Sequence, residues 1–309
     1  MSGHAAHGDL TRRAATASVA TAVFLLLLKA YAAWASGSMA MLASLADTGL
    51  DLLASLTTLY AVRVAAQPAD SDHRFGHGKA EALAALFQVA LITASAMGII
   101  VSATQRLSRP PMPVEAEAGI LVSVLAIIAT LLLTRYQKHV IARTGSVAIG
   151  ADHLHYQSDL MLNGSVILAL VLDRYLKLPG ADALFGIGIA LWLVRGAWRS
   201  ASHAIDQLMD REWPEEKRQT VIDIANSSPV LNRIHDLRTR SSGMHDFIQF
   251  HAWVNPAMTV AEAHEAVEAI EEKLHAAFPG AEVLIHVDPE GQIDNAGNAM
   301  EALRETPEK

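Results

Sequence analysis

The sequence ADHLHYQSDLMLNG, residues 151–164, places His155 and Asp159 four positions apart at the beginning of a long apolar segment. Residues i and i+4 lie on one face of an α-helix, so the imidazole and the carboxylate are expected side by side. Ionisable groups are costly inside an apolar span and mark functional positions there. The stretch therefore predicts a polar site within a membrane-spanning helix.

A second ionisable pair lies in another apolar segment, within SLADTGLDLLAS, residues 44–55. Asp47 and Asp51 are also four apart, and the spacing places them on one polar helix face. One imidazole and three carboxylates from two helices could enclose a tetrahedral divalent cation, because zinc accepts both nitrogen and oxygen ligands. We therefore predict an intramembrane metal site made of Asp47, Asp51, His155 and Asp159.

The composition indicates a membrane protein that also has a soluble part. Of the 309 residues, 51% are hydrophobic and only 18% are charged, which is too apolar for an ordinary soluble domain. The net charge of -8 argues against nucleic acid as a partner. The chain has no cysteine, so disulfides are excluded and any metal site must use histidine and carboxylate ligands.

The hydrophobic pattern predicts a polytopic α-helical membrane protein. A membrane-spanning helix needs about 20 mostly apolar residues, and a polar N-terminal tail, residues 1–13, precedes the first such window. Within a transmembrane domain of residues 14–208, the six predicted spans are 14–36, 39–64, 82–107, 118–141, 147–172 and 181–200.

The distribution of basic residues predicts the orientation of these spans. An even number of spans puts both ends of the chain on the same side of the membrane. Most lysines and arginines, such as Arg63, Arg135 and Lys138, fall on the side of the termini. By the positive-inside rule both termini are then cytoplasmic.

The loop after the second span offers a second group of ligands. The segment QPADSDHRFGHGKAE, residues 67–81, contains Asp70, His73 and His77, and Gly76 and Gly78 give its backbone freedom to fold inward. Such polar, glycine-containing loops are mostly just solvated. As a pattern, a solvated loop and a metal site are about equally good interpretations.

A change of composition after residue 208 predicts a small soluble domain over residues 209–290. Its first helix follows Trp213 and Pro214. Two strands (230–240 and 246–254), a helix (259–278) and a final strand (281–288) complete an α-β-β-α-β order. This order is typical of a ferredoxin-like α+β domain. The remaining residues, 291–309, are predicted to be a disordered tail.

Histidines recur in this domain near a carboxylate. Strand alternation places His286 and Asp288 on the same face of the last strand, while His251 and His235 lie on the other two strands and His264 on the helix. Each histidine alone is best interpreted as structural or surface-exposed. Together with Asp288 they could form another, exposed metal site.

A metal site inside the membrane predicts a metal transporter, and other classes of protein must be weighed against this prediction. The ionisable pairs could be a buried polar network, or the apolar segments could be core helices of a soluble protein. A membrane metalloenzyme would need a separate general base and an open coordination position. An intramembrane aspartyl protease would set two aspartates from different helices together, and a channel would pass metal without proton coupling.

Several motifs in combination resemble those of the cation diffusion facilitator family, and in particular its bacterial ferrous-iron and zinc efflux pumps. The motifs are SLADTGLDLLAS, DSDHRFGHGKAEALAAL, ADHLHYQSDLMLNG, IHDLRTR and LIHVDP, and the resemblance extends from about residue 10 to residue 289. It implies a homodimer in the cytoplasmic (inner) membrane, with six transmembrane helices and a cytoplasmic ferredoxin-like domain in each protomer.

The resemblance also implies functions for the three groups of ligands. Asp47, Asp51, His155 and Asp159 would be the transport site, and Asp70, His73 and His77 a loop site. A cytoplasmic site at the dimer interface would use His235, His251, His264, His286 and Asp288, with the carboxylate bridging two ions. The implied activity is efflux of zinc, or of cadmium or ferrous iron, with Zn²⁺ also bound structurally and no organic cofactor. The protein would be a secondary transporter rather than an enzyme.

Ligand chemistry connects metal transport with protons. Zinc requires neutral imidazole and ionised carboxylates, so metal and protons compete for the same atoms. Because an unperturbed histidine titrates near pH ~6.5, we predict that His155 is the principal proton carrier. Alternating access would expose the site to one side of the membrane lipid bilayer and then to the other.

Overall fold

The chain folds into two compact units, the first comprising His7–Ile205 and the second comprising the residues before His7 together with those from Asp206 onward. The computed structural model describes residues 2–36, 39–107, 117–176, 181–243 and 245–292. The predicted C-terminal tail, residues 291–309, lies outside the described residues from residue 293 onward. Each unit has its own hydrophobic core.

Six long helices make up the membrane unit, and the prediction of a polytopic helical protein is confirmed. They are α1 (Ser2–Ser36), α2 (Met39–Ala65), α3 (Ala80–Leu107), α4 (Glu117–Thr144), α5 (Val147–Leu176) and α6 (Ala181–Leu208).

Three stretches of described helix are long and apolar enough to cross a membrane: His7–Ala35, Ala80–Gln105 and Val124–Thr144. They belong to α1, α3 and α4. The ionisable pairs lie instead on α2 and α5, whose apolar character they interrupt.

Helix α1 begins much earlier than the predicted first span. It starts at Ser2, so the described part of the predicted tail is helical rather than irregular. No proline interrupts this segment, and Asp9 pairs with Arg12 at 2.6 Å and with Arg13 at 2.8 Å. Pairs at i+3 and i+4 favour continued helix, which hydropathy alone does not register.

Helix α5 contacts three neighbours, α2, α3 and α4, and therefore occupies a central position in the membrane unit. It also approaches α6 closely at Gly196, where an added Cβ would lie 2.8 Å from the Leu154 Cδ1 atom. Glycine permits this approach because it has no side chain. The helix with the HLHYQSD motif is thus held tightly against the rest of the unit.

The second unit has the predicted α-β-β-α-β order. It contains α7 (Glu215–Ala225), β1 (Asn232–Ser242), β2 (His245–Val254), α8 (Val260–Ala277) and β3 (Glu282–Pro289). The sheet order is β1-β2-β3, with β1 antiparallel and β3 parallel to β2. Apolar residues of both helices and of the sheet, including Ile222, Phe250 and Ile270, form one core.

The hairpin between β1 and β2 is tighter than predicted. The predicted strands end at residue 240 and begin again at residue 246, which leaves the two serines to the turn, but Ser241 and Ser242 belong to β1, whose pairing continues through Ser242 and His245. Gly243 has a φ of 62°, which suits a short hairpin turn. The serines are therefore strand residues because the ladder extends to the edge of the turn.

Helix α8 begins with a capping box. The Thr259 hydroxyl accepts a hydrogen bond from the Glu262 backbone N–H, and the Glu262 carboxylate accepts one from the Thr259 backbone N–H. The latter bond holds the pKa of Glu262 below its ordinary value, with the Thr259 hydroxyl contributing in the same direction. The ionised cap therefore stabilises the helix at neutral pH, and its contribution is lost as the pH falls through that lowered pKa.

Replacing Thr259 with alanine should destabilise the start of α8 by about 1 kcal/mol, because the first-turn amide loses its acceptor. Hydrogen exchange of the α8 amides in the full chain would measure the effect. Thr220→Ala is the matched control, since Thr220 is an exposed threonine within α7. Equal exchange at α8 in Thr259→Ala and wild type would contradict the assigned cap.

Candidate metal centres

Three groups of histidine and aspartate bring their ligand atoms within 4.8 Å of one another among the described residues. One lies in the membrane unit, between α2 and α5. Another lies in the loop between α2 and α3, and the third lies on the sheet of the second unit. We call them the membrane cluster (Asp51, His155 and Asp159), the loop cluster (Asp70, His73 and His77) and the sheet cluster (His235, His251 and Asp288).

The membrane cluster joins the two helices that carry the predicted pairs. His155 Nε2 lies 3.0 Å from Asp51 Oδ1 on α2 and 4.0 Å from Asp159 Oδ2 on its own helix. The His155 side chain is buried, whereas Asp51 and Asp159 are partly exposed. This arrangement can offer one nitrogen and two carboxylates to a divalent cation.

The protonation of His155 follows from this geometry. A hydrogen bond from Nε2 to the Asp51 carboxylate requires a hydrogen on Nε2. The other ring nitrogen, Nδ1, is buried and has no hydrogen-bond partner among the described residues. A metal ion bound at Nε2 would have to displace that hydrogen, and Nδ1 offers it no hydrogen-bonded position.

Asp47 is not part of the membrane cluster. Its side chain is exposed, although it lies within electrostatic range of Asp159. The spacing correctly places Asp47 one helical turn from Asp51, but the structure does not bring the two carboxylates to the same point. Asp47 as a fourth ligand therefore remains a prediction.

The loop cluster is organised by an Asp70 turn. The Asp70 Oδ1 atom accepts hydrogen bonds from the backbone N–H groups of Asp72 and His73, at 2.9 and 2.6 Å. His73 Nδ1 and His77 Nε2 each lie 3.3 Å from an Asp70 oxygen, and the two rings are 4.6 Å apart. The exposed loop has thus already folded its ligand atoms together.

Hydrogen bonding from the His73 backbone lowers the pKa of Asp70, with the Asp72 backbone and the His73 side chain adding to the effect. The ionised form therefore stabilises the loop at neutral pH, and this contribution is lost only as the pH falls through the lowered pKa. In an acid titration, Asp70 should still be ionised when imidazoles in general become protonated, near pH ~6.5.

Acidification from neutral pH is therefore expected to release metal from the loop in the imidazole range rather than in the carboxylate range. The measurement is metal binding against pH in the full chain carrying Asp51→Ala and Asp288→Ala. Asp70→Asn should abolish binding in this background, whereas Asp72→Asn, at an exposed neighbour outside the cluster, should not. Retention of metal until the carboxylate range would contradict the prediction.

The sheet cluster takes one ligand from each strand. His235 of β1 pairs with His251 of β2, and Asp288 of β3 lies opposite Trp253 of β2. The buried Asp288 Oδ2 lies 3.0 Å from His251 Nδ1 and 3.3 Å from His235 Nε2. The carboxylate is therefore the centre of the group.

Two further predicted ligands lie at different distances from this centre. His286 Nε2 lies 3.2 Å from Asp288 Oδ1, the other carboxylate oxygen, and its side chain is 55% exposed. Asp288 can therefore face metal on two sides. His264 is exposed on α8 and belongs to none of the three clusters found among the described residues. Its participation stays a prediction.

Sequence reasoning missed Asp236 beside the sheet cluster. Asp236 Oδ2 lies 3.9 Å from His251 Nε2 and is paired with the Arg238 guanidinium at 2.9 Å. Strand alternation would put Asp236 on the face opposite His235. The pairing of β1 is irregular here and Asp236 has a φ of 50°, so simple alternation fails.

Two family models, both described as cation efflux, match successive parts of the chain. Residues 15–209 match the family model described as the cation efflux transmembrane domain. Residues 213–290 match the model described as the cation efflux protein, cytoplasmic domain.

Curated relatives match nearly the whole chain. A cation-efflux pump FieF of Escherichia fergusonii is 43% identical over 295 residues, which cover 96% of this chain and 98% of the relative. A cation-efflux pump FieF of Escherichia coli (strain K12 / DH10B) is 43% identical over 291 residues, with coverage of 94% and 97%.

Solved structures match a smaller part of the chain. CzrB in its Zn form is 34% identical over 28% of this chain and 99% of that chain, with a TM-score of 0.26. The metal-bound C-terminal domain of the CzcD transporter from Thermotoga maritima is 23% identical, with a TM-score of 0.25 and coverage of 26% and 100%.

Proposed function

This chain belongs to the cation efflux, or cation diffusion facilitator, family, and we propose that it exports a divalent metal ion in exchange for protons. It is a membrane protein and a cation efflux pump, not an enzyme. We further propose that it lies in the cytoplasmic (inner) membrane with both termini in the cytoplasm.

The observation that carries the proposal is the position of His155 Nε2. This atom makes a 3.0 Å hydrogen bond to Asp51, and it is also the nitrogen that faces Asp159. In the imidazolium form the Nε2 lone pair holds a proton, and a metal ion bound at Nε2 would need the same lone pair, so metal entry would expel one proton and proton entry would expel the metal. Competition at one atom is sufficient to couple the two fluxes.

The donor set favours zinc as the transported ion. One nitrogen with carboxylate oxygens suits zinc, while an all-oxygen set would suit manganese better. Cadmium and ferrous iron accept the same ligands, so geometry and availability decide among them.

Movement of α5 relative to α2 would open the site to either side. The membrane cluster takes its ligands from these two helices, so a shift between them changes access and metal geometry together. Alternating access around a fixed site is the usual arrangement in secondary transporters. Asp47, one turn from Asp51, would complete the coordination when metal enters.

We further propose that the second unit binds Zn²⁺ as a brace between two copies of the chain in a homodimer. The sheet cluster presents a buried carboxylate with one histidine, His286, largely exposed on its other side. Metal bound there would be held partly at the surface of the domain, where the second protomer can contribute. Zinc at this site would then report the cytosolic metal level to the transporter.

Reconstitution into liposomes that enclose a pH-sensitive dye tests the exchange. Zinc added outside should enter while protons leave, and an imposed proton gradient should drive zinc against its own gradient. Cadmium, ferrous iron and manganese would be compared under the same conditions, with manganese expected to be slowest. Zinc entry without proton movement would identify a channel and overturn the exchange mechanism.

A further inference from the structure

A carboxyl group that does not belong to the membrane cluster is fully buried in the membrane unit. Asp152 on α5 has no exposed surface. Its Oδ1 atom accepts a hydrogen bond from Gln88 Nε2 on α3 at 3.0 Å, and its Oδ2 atom accepts one from Gln137 Nε2 on α4 at 2.8 Å. Both glutamines are also buried, so the three side chains form a closed polar site among apolar helices.

Among the described residues, no lysine or arginine pairs with Asp152, and the one cationic group that acts on it electrostatically is protonated His155. The groups that face it from α1, α2, α3 and α4 are neutral, and the titratable groups nearby, His155 and Tyr156, belong to α5 itself. The charged neighbours of Gln137 on α4, Arg135 and Lys138, are exposed. The neutral facing groups are Ser18, Ser55, Gln88 and Gln137. The carboxylate is therefore held by neutral amide and hydroxyl groups.

The two amides can serve a protonated carboxyl group as well as an ionised one. Within the described part of the chain, the Oε1 atoms of Gln88 and Gln137 are buried and have no hydrogen-bond partner. An amide turned over would present its oxygen to an Asp152 O–H. Gln88 can turn without losing any other bond, whereas Gln137 Nε2 also donates to Ser18 Oγ at 3.0 Å.

Exchanging the two ends of the Gln88 amide leaves the number of unpaired atoms unchanged. Before the turn its oxygen has no partner, and afterwards its nitrogen has none. Binding a proton to Asp152 therefore removes a buried charge and keeps both of its hydrogen bonds, with little rearrangement of the helices. A carboxyl site whose partners suit only the ionised form, or only the protonated form, would lose a hydrogen bond when its protonation changes.

A chain of hydrogen bonds connects Asp152 with the helix that carries Asp51. Gln137 donates to Ser18 on α1, and the Ser18 carbonyl accepts from the Tyr156 hydroxyl at 3.2 Å. The Tyr156 hydroxyl is also 2.8 Å from Ser55 Oγ, which is one turn from Asp51 on α2. A rearrangement at Asp152 can thus alter the contacts between α2 and α5 beside the membrane cluster.

We propose that Asp152, with Gln88 and Gln137, is a second proton-binding site of the transporter, separate from the metal ligands. This assignment rests on the proposed exchange function. Asp152 takes up one proton as the metal leaves and releases it as the next ion enters. The positive charge of a metal ion on the same helix favours the ionised carboxylate, and departure of the ion favours the acid. The proton comes from the aqueous side to which the site is then open, and only an O–H bond is made or broken.

Asp152→Asn tests this assignment because the amide has the shape of the acid and cannot titrate. The purified full chain would carry Asp70→Ala and Asp288→Ala, so that zinc binds only at the membrane cluster. Protons released per zinc bound are measured in weak buffer across the neutral pH range. Adding Asp152→Asn should lower the release by up to about one proton per ion, because one ionisable group is removed. The zinc affinity at high pH should stay close to that of the background chain.

Two further variants separate proton binding from a structural effect. Gln88→Met removes a donor to the carboxylate, so proton release on zinc binding should persist to higher pH. Asp206→Asn, the same substitution at an ion pair of the second unit, should change nothing. An Asp152→Asn chain that binds zinc more weakly but releases as many protons would make Asp152 structural and overturn the proposal.

The same preparations distinguish failure of this inference from failure of the exchange function. In liposomes, wild type that moves protons against zinc, together with an unaltered proton count in Asp152→Asn, would overturn only the second proton site. Wild type that moves zinc with no counterflow of protons would overturn both.

Discussion

Replacing Asp51 with alanine is expected to abolish zinc transport and the proton movement that accompanies it. The substitution removes the carboxylate that lies 3.0 Å from His155 Nε2, and with it the α2 contribution to the described cluster. The initial rate of zinc uptake into liposomes should fall by more than about 100-fold, since loss of even an outer partner of a metal site typically costs ~10–100-fold.

Asp9→Ala is the control for this substitution. Asp9 lies on α1 in the same unit and pairs with Arg12 and Arg13, outside all three clusters. Its replacement should leave uptake near the wild-type rate. Equal uptake by Asp51→Ala and wild type would mean that the membrane cluster is not on the metal path.

A loss of similar size is expected for metal binding by the second unit when Asp288 is replaced with asparagine. The Asp288 carboxylate lies within 3.3 Å of three histidine nitrogens, from His235, His251 and His286. An amide offers one acceptor and no charge in its place. The affinity of this site for zinc should therefore fall by more than about 100-fold, again by comparison with outer-partner losses of ~10–100-fold.

Energy transfer between labels on full-length chains held in nanodiscs would measure whether zinc brings the second units of two protomers together. Wild type should respond to zinc and Asp288→Asn should not. Asp223→Asn, at an exposed carboxylate of α7, should respond like wild type. A full zinc response in Asp288→Asn would remove the sheet cluster from any dimer brace.

The sequence predicts the helices and the side chains at the centres of the clusters well because both depend on local spacing. Long apolar windows locate all six helices of the membrane unit, and i, i+4 spacing selects His155 and Asp159. Alternation along β3 correctly places His286 and Asp288 together. These patterns are properties of one element at a time.

Arrangements between elements are less accessible to such patterns. Spacing puts Asp47 on the same face of α2 as Asp51. It does not determine which of the two carboxylates His155 of α5 contacts. Gln88 and Gln137 are single neutral residues in apolar helices, and only the packing of α3 and α4 against α5 shows that they share Asp152. Asp236 escaped notice because irregular pairing in β1 changes the direction of its side chain.

The order of the strands has a consequence for how the protein is made. The sheet cluster takes His235 and His251 from a hairpin of neighbouring strands, but its carboxylate comes from β3, which joins β2 only through the α8 crossover. During synthesis on the ribosome, the membrane unit and the hairpin emerge well before Asp288. A nascent chain therefore cannot assemble the complete cluster until translation has passed β3, so tight zinc capture by this unit would distinguish finished transporters from chains that stalled before it.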